Sequence, residues 1–395
     1  MPRGFSQPGK VLKLKRSLYG LKQSPRNFFQ HLKSKLKGIG FESNELVDPC
    51  LFISDKVICL IYVDDTLLFS PKEEYIDEAI SKLSKSELDL EVEDSVAGFL
   101  GVHLEHNHKD GSIKLTQQGL AKRVVDALNL GNRPRKLTPA SSEPLVKDDN
   151  GDPPNGSYNY ASVIGMLQYL QGHSRPDITY AVSQCACFVH SPKRSHEEAL
   201  ERIGLYLKGT LDDGLILKPT GDLDIDIYVD ADFAGLWPYE DKQDSTCVKS
   251  RTGFVICISN CPVIWISKLQ NEIALSTMEA EYNALSYAMR SALPFKTAVL
   301  TVAKAIGLSD DRTTTFKTTV WEDNAGALTL ANMEPGRITP RSKHYAIKYH
   351  WFRSHLKPNQ VEVKKIDTHD QKADILTKGL TTATFLSIRK LLCGW

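Results

Sequence analysis

The chain has 395 residues, 41% of them hydrophobic and 25% charged, with a formal net charge of +1, a composition ordinary for soluble globular protein. Its best continuous apolar run, Val57 to Val63, is far short of the roughly 20 residues a membrane span needs, and no early segment has a signal-peptide pattern. The eight cysteines include no C-x-x-C pair, so reduced thiols inside an intracellular, membrane-free protein are expected.

From Met1 to Phe41 there are ten Lys or Arg residues and no acid; the first is Glu42. A run so one-sided implies a phosphate-facing surface. Apolar residues within it (Leu12, Leu14, Leu18, Leu21, Phe28, Phe29, Leu32) argue against a solvated tail and predict burial. Asn27 to Leu36 reads as a helix. Val57 to Phe69 reads as two strands around an acidic turn, Tyr62-Val63-Asp64-Asp65. Phe99 to Leu115 reads as a hairpin turning at Asn107 to Gly111. Between Asn132 and Tyr158 lie five prolines and two glycines with no apolar period, the pattern of a connector. Tyr160 to about Thr210 is helical, with a capping box at Ser195 and Glu198 before Leu200, Ile203 and Leu207.

The last region alternates. Strands are predicted at Ile225–Asp230, Gly253–Ser259, Val263–Ser267, Lys317–Asp323 and Val361–Asp367, with helices after the third, fourth and fifth. Acids fall at the ends of separate elements: Asp230 and Asp323 end strands, and Asp374 lies in the first turn of the helix after the final strand. Two ions about 3.5–4 Å apart need converging carboxylates of this kind. The helix near Ser276 offers Glu279 and Glu281, which point about 200° apart and cannot face one site together. Glu281 shares the apolar stripe of Ala284, Leu285, Ala288 and Ala292, where a buried acid calls for compensation such as a metal. Glu279 shares its face with Asn283, Ser286 and Arg290 and is expected in solvent. His369 precedes Asp374 by five residues and reads equally as a helper in transfer or as a polar residue at a helix start. His344, His350 and His355 lack the i, i+4 spacing of a zinc pair. The trio of His103, His106 and His108 is read the same way, as surface.

Several stretches, taken in order, resemble the C-terminal part of a copia-type retrotransposon polyprotein: Tyr228 to Gly235, Ser276 to Tyr282, Asp323-Asn324, Lys343-His344 and Ala373 to Lys378. Ser17-Leu18-Tyr19-Gly20-Leu21-Lys22-Gln23-Ser24-Pro25-Arg26, the Tyr62 to Asp65 turn, Phe99-Leu100-Gly101 and Ser174 to Ile178 extend the resemblance over nearly the whole chain. Phe233 stands where the family usually has Trp, and Trp237 to Val248 looks like a lengthened loop. The resemblance implies an α/β fold in three parts. Residues 1–131 would be a partial reverse-transcriptase palm with its primer grip, 132–222 a linker and helical connection, and 223–395 a ribonuclease H-like domain with a mixed five-stranded sheet. It implies Asp230, Glu281, Asp323 and Asp374 as catalytic ligands of two Mg2+ ions, with Mn2+ as a substitute, and Asp64 and Asp65 as ligands of a polymerase Mg2+. It assigns Tyr19, Gly20, Lys22, Arg26, Lys343 and His344 to nucleotide or nucleic acid.

The expected activity is hydrolysis of RNA in RNA–DNA hybrids. Polymerisation on a single-stranded RNA template is expected only in the complete polyprotein, because the family's third polymerase acid lies upstream of the stretch resembling Pro2 to Phe5. Integrase, protease and capsid segments would be upstream partners, and the setting would be a cytoplasmic particle or the nucleus. Two rivals remain: a decayed or domesticated nucleic-acid-binding fragment, and an integrase-type nuclease, whose terminal acid would be Glu.

Overall fold

The computed structural model describes residues 9, 13–43, 45, 47–86, 88, 90–93, 96, 98–244, 246–307, 316–334, 350–356 and 360–395. The chain forms two compact units, Met1–Asp94 with Thr297–Thr314, and Ser95–Lys296 with Thr315–Trp395. No helix among the described residues is long and apolar enough to cross a membrane.

In the first unit, helix α1 (Ser24–Gly38) starts three residues earlier than the sequence implied, because Pro25 is well suited to a first helical turn. Strands β1 (Glu42–Ser43), β2 (Leu51–Ile53), β3 (Ile58–Tyr62) and β4 (Asp65–Phe69) form an antiparallel meander in that order, followed by helix α2 (Glu73–Ser84). Leu32 and Leu36 of α1 pack with Phe41, Phe52, Cys59, Ile61, Ala79 and Leu83. The burial expected of the basic stretch is only partly met. Leu14, Leu18 and Phe28 are 50%, 55% and 39% exposed. With strands of at most five residues, this small core has room for the C-terminal half of the α1 stripe and not for the rest.

The second unit begins with a four-stranded antiparallel sheet of β5 (Gly98–Phe99), β6 (Val102–Asn107), β7 (Ser112–Thr116) and β8 (Leu215–Leu217). The predicted hairpin is β6–β7, closing at Asn107 opposite Ser112. Helices α3 (Gln118–Ala127), α4 (Tyr160–His173), α5 (Thr179–Ala186) and α6 (Arg194–Lys208) follow. The capping box of α6 is displaced from the predicted one: Lys193 N–H donates to His196 Nδ1 at 2.8 Å. The Ser195 hydroxyl is instead engaged by Asp148. The proline-rich connector is docked along its length. Glu197 accepts from the backbone of Asn155 and Gly156 at 2.7 and 3.2 Å, and His196 Nε2 lies 2.8 Å from the Val146 carbonyl.

The five predicted strands all form: β9 (Ile225–Asp232), β10 (Arg251–Ile258), β11 (Cys261–Leu269), β12 (Thr318–Glu322) and β13 (Glu362–Lys365). Their order is β11-β10-β9-β12-β13. The first three are antiparallel, while β9, β12 and β13 run parallel. Helices α7 (Thr277–Ala305), α8 (Ala325–Asn332) and α9 (Thr382–Cys393) follow the third, fourth and fifth strands as expected, but α9 starts beyond Asp374, which lies in a preceding 3-10 turn rather than in the first turn of that helix. The chain is thus an α/β protein with the mixed sheet its pattern implied. Ile227, Val229, Phe254 and Ile256 pack against α7 through Tyr282, Leu285, Ala288 and Met289. Val255, Cys257, Leu376 and Ile388 join α3 to α6 in a second core.

Candidate active site

Asp230 lies on the central strand β9, directly opposite Gly253 of β10. Gly253 is required there. A Cβ at that position would sit 2.6 Å from Thr377 Cγ2, 2.9 Å from Leu376 Cβ and 3.2 Å from the Ala373 carbonyl oxygen. The missing side chain admits the 3-10 turn Lys372–Leu376, which carries Asp374. Gln371 ties that turn to the sheet, its Nε2 donating to the Val229 carbonyl at 2.8 Å. Asp323 follows the end of β12, where Asn324 caps α8 by accepting from Gly326 and Ala327 N–H at 2.9 and 3.0 Å. Glu281 enters from the first turns of α7.

One carboxylate oxygen each of Asp230, Glu281 and Asp323 lies within 4.8 Å of the others. Among the described residues this is the one such grouping of His, Cys, Asp or Glu side chains, so His103, His106 and His108 form none. Asp374, 4% exposed, is outside that group of oxygens and meets it through Lys378. The Lys378 Nζ is 3.0 Å from Asp374 Oδ1 and 3.8 Å from Asp230 Oδ2. The Thr377 hydroxyl donates to Asp230 Oδ2, and Thr368 Oγ1 donates to Asp323 Oδ2 at 3.2 Å. Exposed His369 sits beside Thr368 in a short 3-10 turn.

Burial makes Glu281, Asp323 and Asp374 reluctant to ionise. It pushes the Glu281 carboxyl up to about 11, with the charges of Asp230, Glu322 and Asp323 adding to the effect. Burial and Asp230 likewise push Asp374 up to about 7 and raise Asp323. Glu281 Oε2 is buried without a hydrogen-bond partner, an expensive state for an oxygen that strong ligands would satisfy. Burial opposes the charge on Lys378, yet Asp230 and Asp374 prevail and hold it at about 12.

The expected solvent position of Glu279 is corrected by the structure. Glu279 is 6% exposed and Asn283 and Ser286 are 8% and 1%. The carboxylate of Glu279 accepts from Leu275 N–H at 2.9 Å while Ser276 Oγ accepts from Glu279 N–H at 3.2 Å. This is a helix-start box. Ser286 Oγ accepts from Trp351 Nε1 at 3.0 Å, and Asn283 donates to Gln270 at 3.2 Å, so polar partners rather than water cover that face. Five contributors escaped sequence reasoning: Thr368, Gln371, Thr377, Lys378 and Glu322. Lys378 had a visible signal, its i, i+4 spacing from Asp374. Glu322 is fully buried, accepts from Asn324 N–H at 3.0 Å and is pushed up to about 8, chiefly by burial. Nothing in the pattern of β12 singled it out.

In the first unit, Asp64 and Asp65 are exposed at the β3–β4 tip, with Tyr62 paired to Asp65. Val63 holds a φ of 56°, a strained value for a β-branched residue. Tyr19, 93% exposed, donates from its hydroxyl to Asp64 Oδ2 at 3.4 Å. Gly20 has a φ of +88°, which only glycine adopts freely. Lys22 and Arg26 are exposed. Lys343 and His344 lie outside the described residues.

A family model described as reverse transcriptase (RNA-dependent DNA polymerase) matches residues 1–142. The chain is 32% identical over 391 residues to the retrovirus-related Pol polyprotein from transposon RE1 of Arabidopsis thaliana, covering 97% of this chain and 25% of that protein. With the Ty5-1 transposon protein of Saccharomyces cerevisiae it shares 30% identity over 291 residues, covering 71% of this chain and 90% of that one. The chain belongs to the copia-type retrotransposon polyprotein family. It spans about a quarter of the length of the RE1 polyprotein, and its reverse-transcriptase region is the stretch that holds the Tyr62 to Asp65 turn. Among solved structures, LC11-RNase H1 in complex with RNA/DNA hybrid matches 39% of this copia-type chain and 94% of its own, at 16% identity and a TM-score of 0.27.

Proposed function

We propose that this chain is the reverse transcriptase–ribonuclease H part of a copia-type polyprotein. In this reading Asp230, Glu281, Asp323 and Asp374 hydrolyse the RNA strand of RNA–DNA hybrids with two Mg2+ ions, for which Mn2+ can substitute. The observation that carries the reading is the convergence of three carboxylate oxygens from three separate elements within 4.8 Å, one of the acids, Glu281, having an oxygen buried and unpartnered. An all-oxygen donor set of this kind suits a hard divalent cation. Bound ions would supply an activated water and stabilise the leaving oxygen of the scissile phosphate.

The chain's own residues hold that arrangement in register. Thr377 fixes the Asp230 carboxylate, Thr368 orients Asp323, and Gln371 holds the turn that presents Asp374. Discrimination of RNA from DNA in the hybrid would rest on contacts to 2′-hydroxyls, with Lys343 and His344 proposed as nucleic-acid contacts. The proposed role of Asp64, Asp65, Tyr19, Gly20, Lys22 and Arg26 is nucleotide and Mg2+ binding for polymerisation on an RNA template in the complete polyprotein. Upstream integrase, protease and capsid segments would be its partners, and a cytoplasmic particle or the nucleus its setting.

The experiment is cleavage of a hybrid labelled on its RNA strand, in Mg2+ and in chelator. Cleavage should occur with the ion, stop in chelator and be abolished by Asp230→Asn or Asp323→Asn without loss of melting temperature. Undiminished cleavage by a folded Asp230→Asn variant would remove the site assignment, and a folded wild type that binds the hybrid without cleaving it would leave the nucleic-acid-binding reading.

A further inference from the structure

Among the described residues, Lys378 is the one side chain in the centre with a positive charge within 4 Å of two of the four proposed ligands. Its side chain is 42% exposed, whereas those of Asp230 and Asp374 are 4% and 6% exposed, so its stem reaches from solvent to the mouth of the cluster. The backbone beneath it is clamped. A Cβ on the next residue, Gly379, would lie 2.0 Å from the Ser141 carbonyl oxygen, so the docked connector fixes the chain here and leaves only the lysine tip free to move. Asp230, Glu281 and Asp323 converge on a point to which Lys378 is not paired through Glu281 or Asp323, and there Glu281 Oε2 has no partner.

We propose that Lys378 is a positioning residue that serves as the resident cation of the centre, its ammonium held between Asp230 and Asp374 where a second divalent ion would compete for the same oxygens. This rests on the nuclease reading above. The two ion positions are then unequal. The position among Asp230, Glu281 and Asp323 shares only Asp230 with the ammonium, at the longer of its two contacts, and loads first. The position on Asp374 loads only when the ammonium withdraws toward solvent, where the phosphates of a bound hybrid offer it another partner.

The test is Mn2+ titration of the full chain by calorimetry without nucleic acid, together with melting in chelator. The wild type should bind one ion tightly and a second weakly. Lys378→Met should tighten the second ion by about tenfold or more, since a like charge is removed from contact distance, and should lower the melting temperature in chelator. Lys378→Arg keeps the charge and should keep the wild-type isotherm. The proposal is overturned if Lys378→Met titrates and melts like the wild type, or if Lys378→Arg behaves as Lys378→Met does. An Asp230→Asn chain that still binds Mn2+ as the wild type does would instead bring down the nuclease reading. Loss of the tight ion in Asp230→Asn, with Lys378→Met unchanged, sinks the lysine proposal alone.

Discussion

Glu279 and Glu281 stand two positions apart on α7 and do different work. The apolar stripe selected Glu281 for the inner position, and Ala284, Leu285, Ala288 and Ala292 are indeed buried with it. The polarity of Asn283 and Ser286 was a poor guide to the other face, because polarity in a sequence does not say whether water or another side chain supplies the hydrogen bonds. Glu281→Gln should therefore abolish hybrid cleavage with little loss of stability. Glu279→Ala should cost about 1–2 kcal/mol through the lost backbone acceptor, while cleavage persists below its lowered melting temperature. The reverse pattern would mean that Glu279, not Glu281, faces the phosphate. The acids also set a pH trend. The Asp374 carboxyl rises from 3.8 to about 7, so the folded chain holds that proton more tightly than the unfolded one. Its contribution to stability is whole below the unfolded value and is lost as pH climbs through the folded one. Glu281, pushed up to about 11, carries the same trend to higher pH. In chelator the melting temperature should fall between about pH 5 and about pH 8, and Mg2+ should raise it more at the upper end. A flat profile in chelator would contradict the crowding of these carboxyls.

Among the elements, the strands of the five-stranded sheet were readable because Ile225, Ile227 and Val229 alternate into the core and Phe254 to Cys257 is a continuous, fully buried apolar run rich in β-branched and aromatic residues. The connector was legible as irregular but not as docked. Its anchors are backbone groups, such as the Asn155 and Gly156 N–H on Glu197, and backbone groups leave no mark in a sequence. Ser195 is a side-chain case: its hydroxyl is taken by the Asp148 carboxylate, and the capping box forms at Lys193 and His196 instead. Gly253 shows how one element positions another. Gly253→Ala would push Thr377, Leu376 and the Ala373 carbonyl outward and cost about 1–3 kcal/mol by overpacking. Because that turn carries Asp374 and Lys378, cleavage should fall more than stability alone explains when the rate is measured well below the melting temperature. Wild-type melting and cleavage together would show that the turn yields without moving Asp374.

For the molecule as a whole, family membership rests on motifs spread from Tyr19 to Lys378, whereas the grouping of helices and sheet rests on packing that motifs do not encode. One hydrophobic core joins Val124 of α3, Leu167 of α4 and Ile203 of α6 to Val255 and Cys257 of β10 and to Ile388 and Leu392 of α9. The same core backs Leu376, beside the acid that completes the proposed centre. This packing brings the acids together, and in the proposed function they hold a cation. Diffraction from crystals of the full chain soaked in Mn2+, with anomalous scattering recorded, tests it most directly. The account predicts a peak at coordination distance, about 2.0–2.6 Å, from oxygens of Asp230, Glu281 and Asp323. An ordered site with no peak at saturating Mn2+, or a peak on other residues alone, would contradict it.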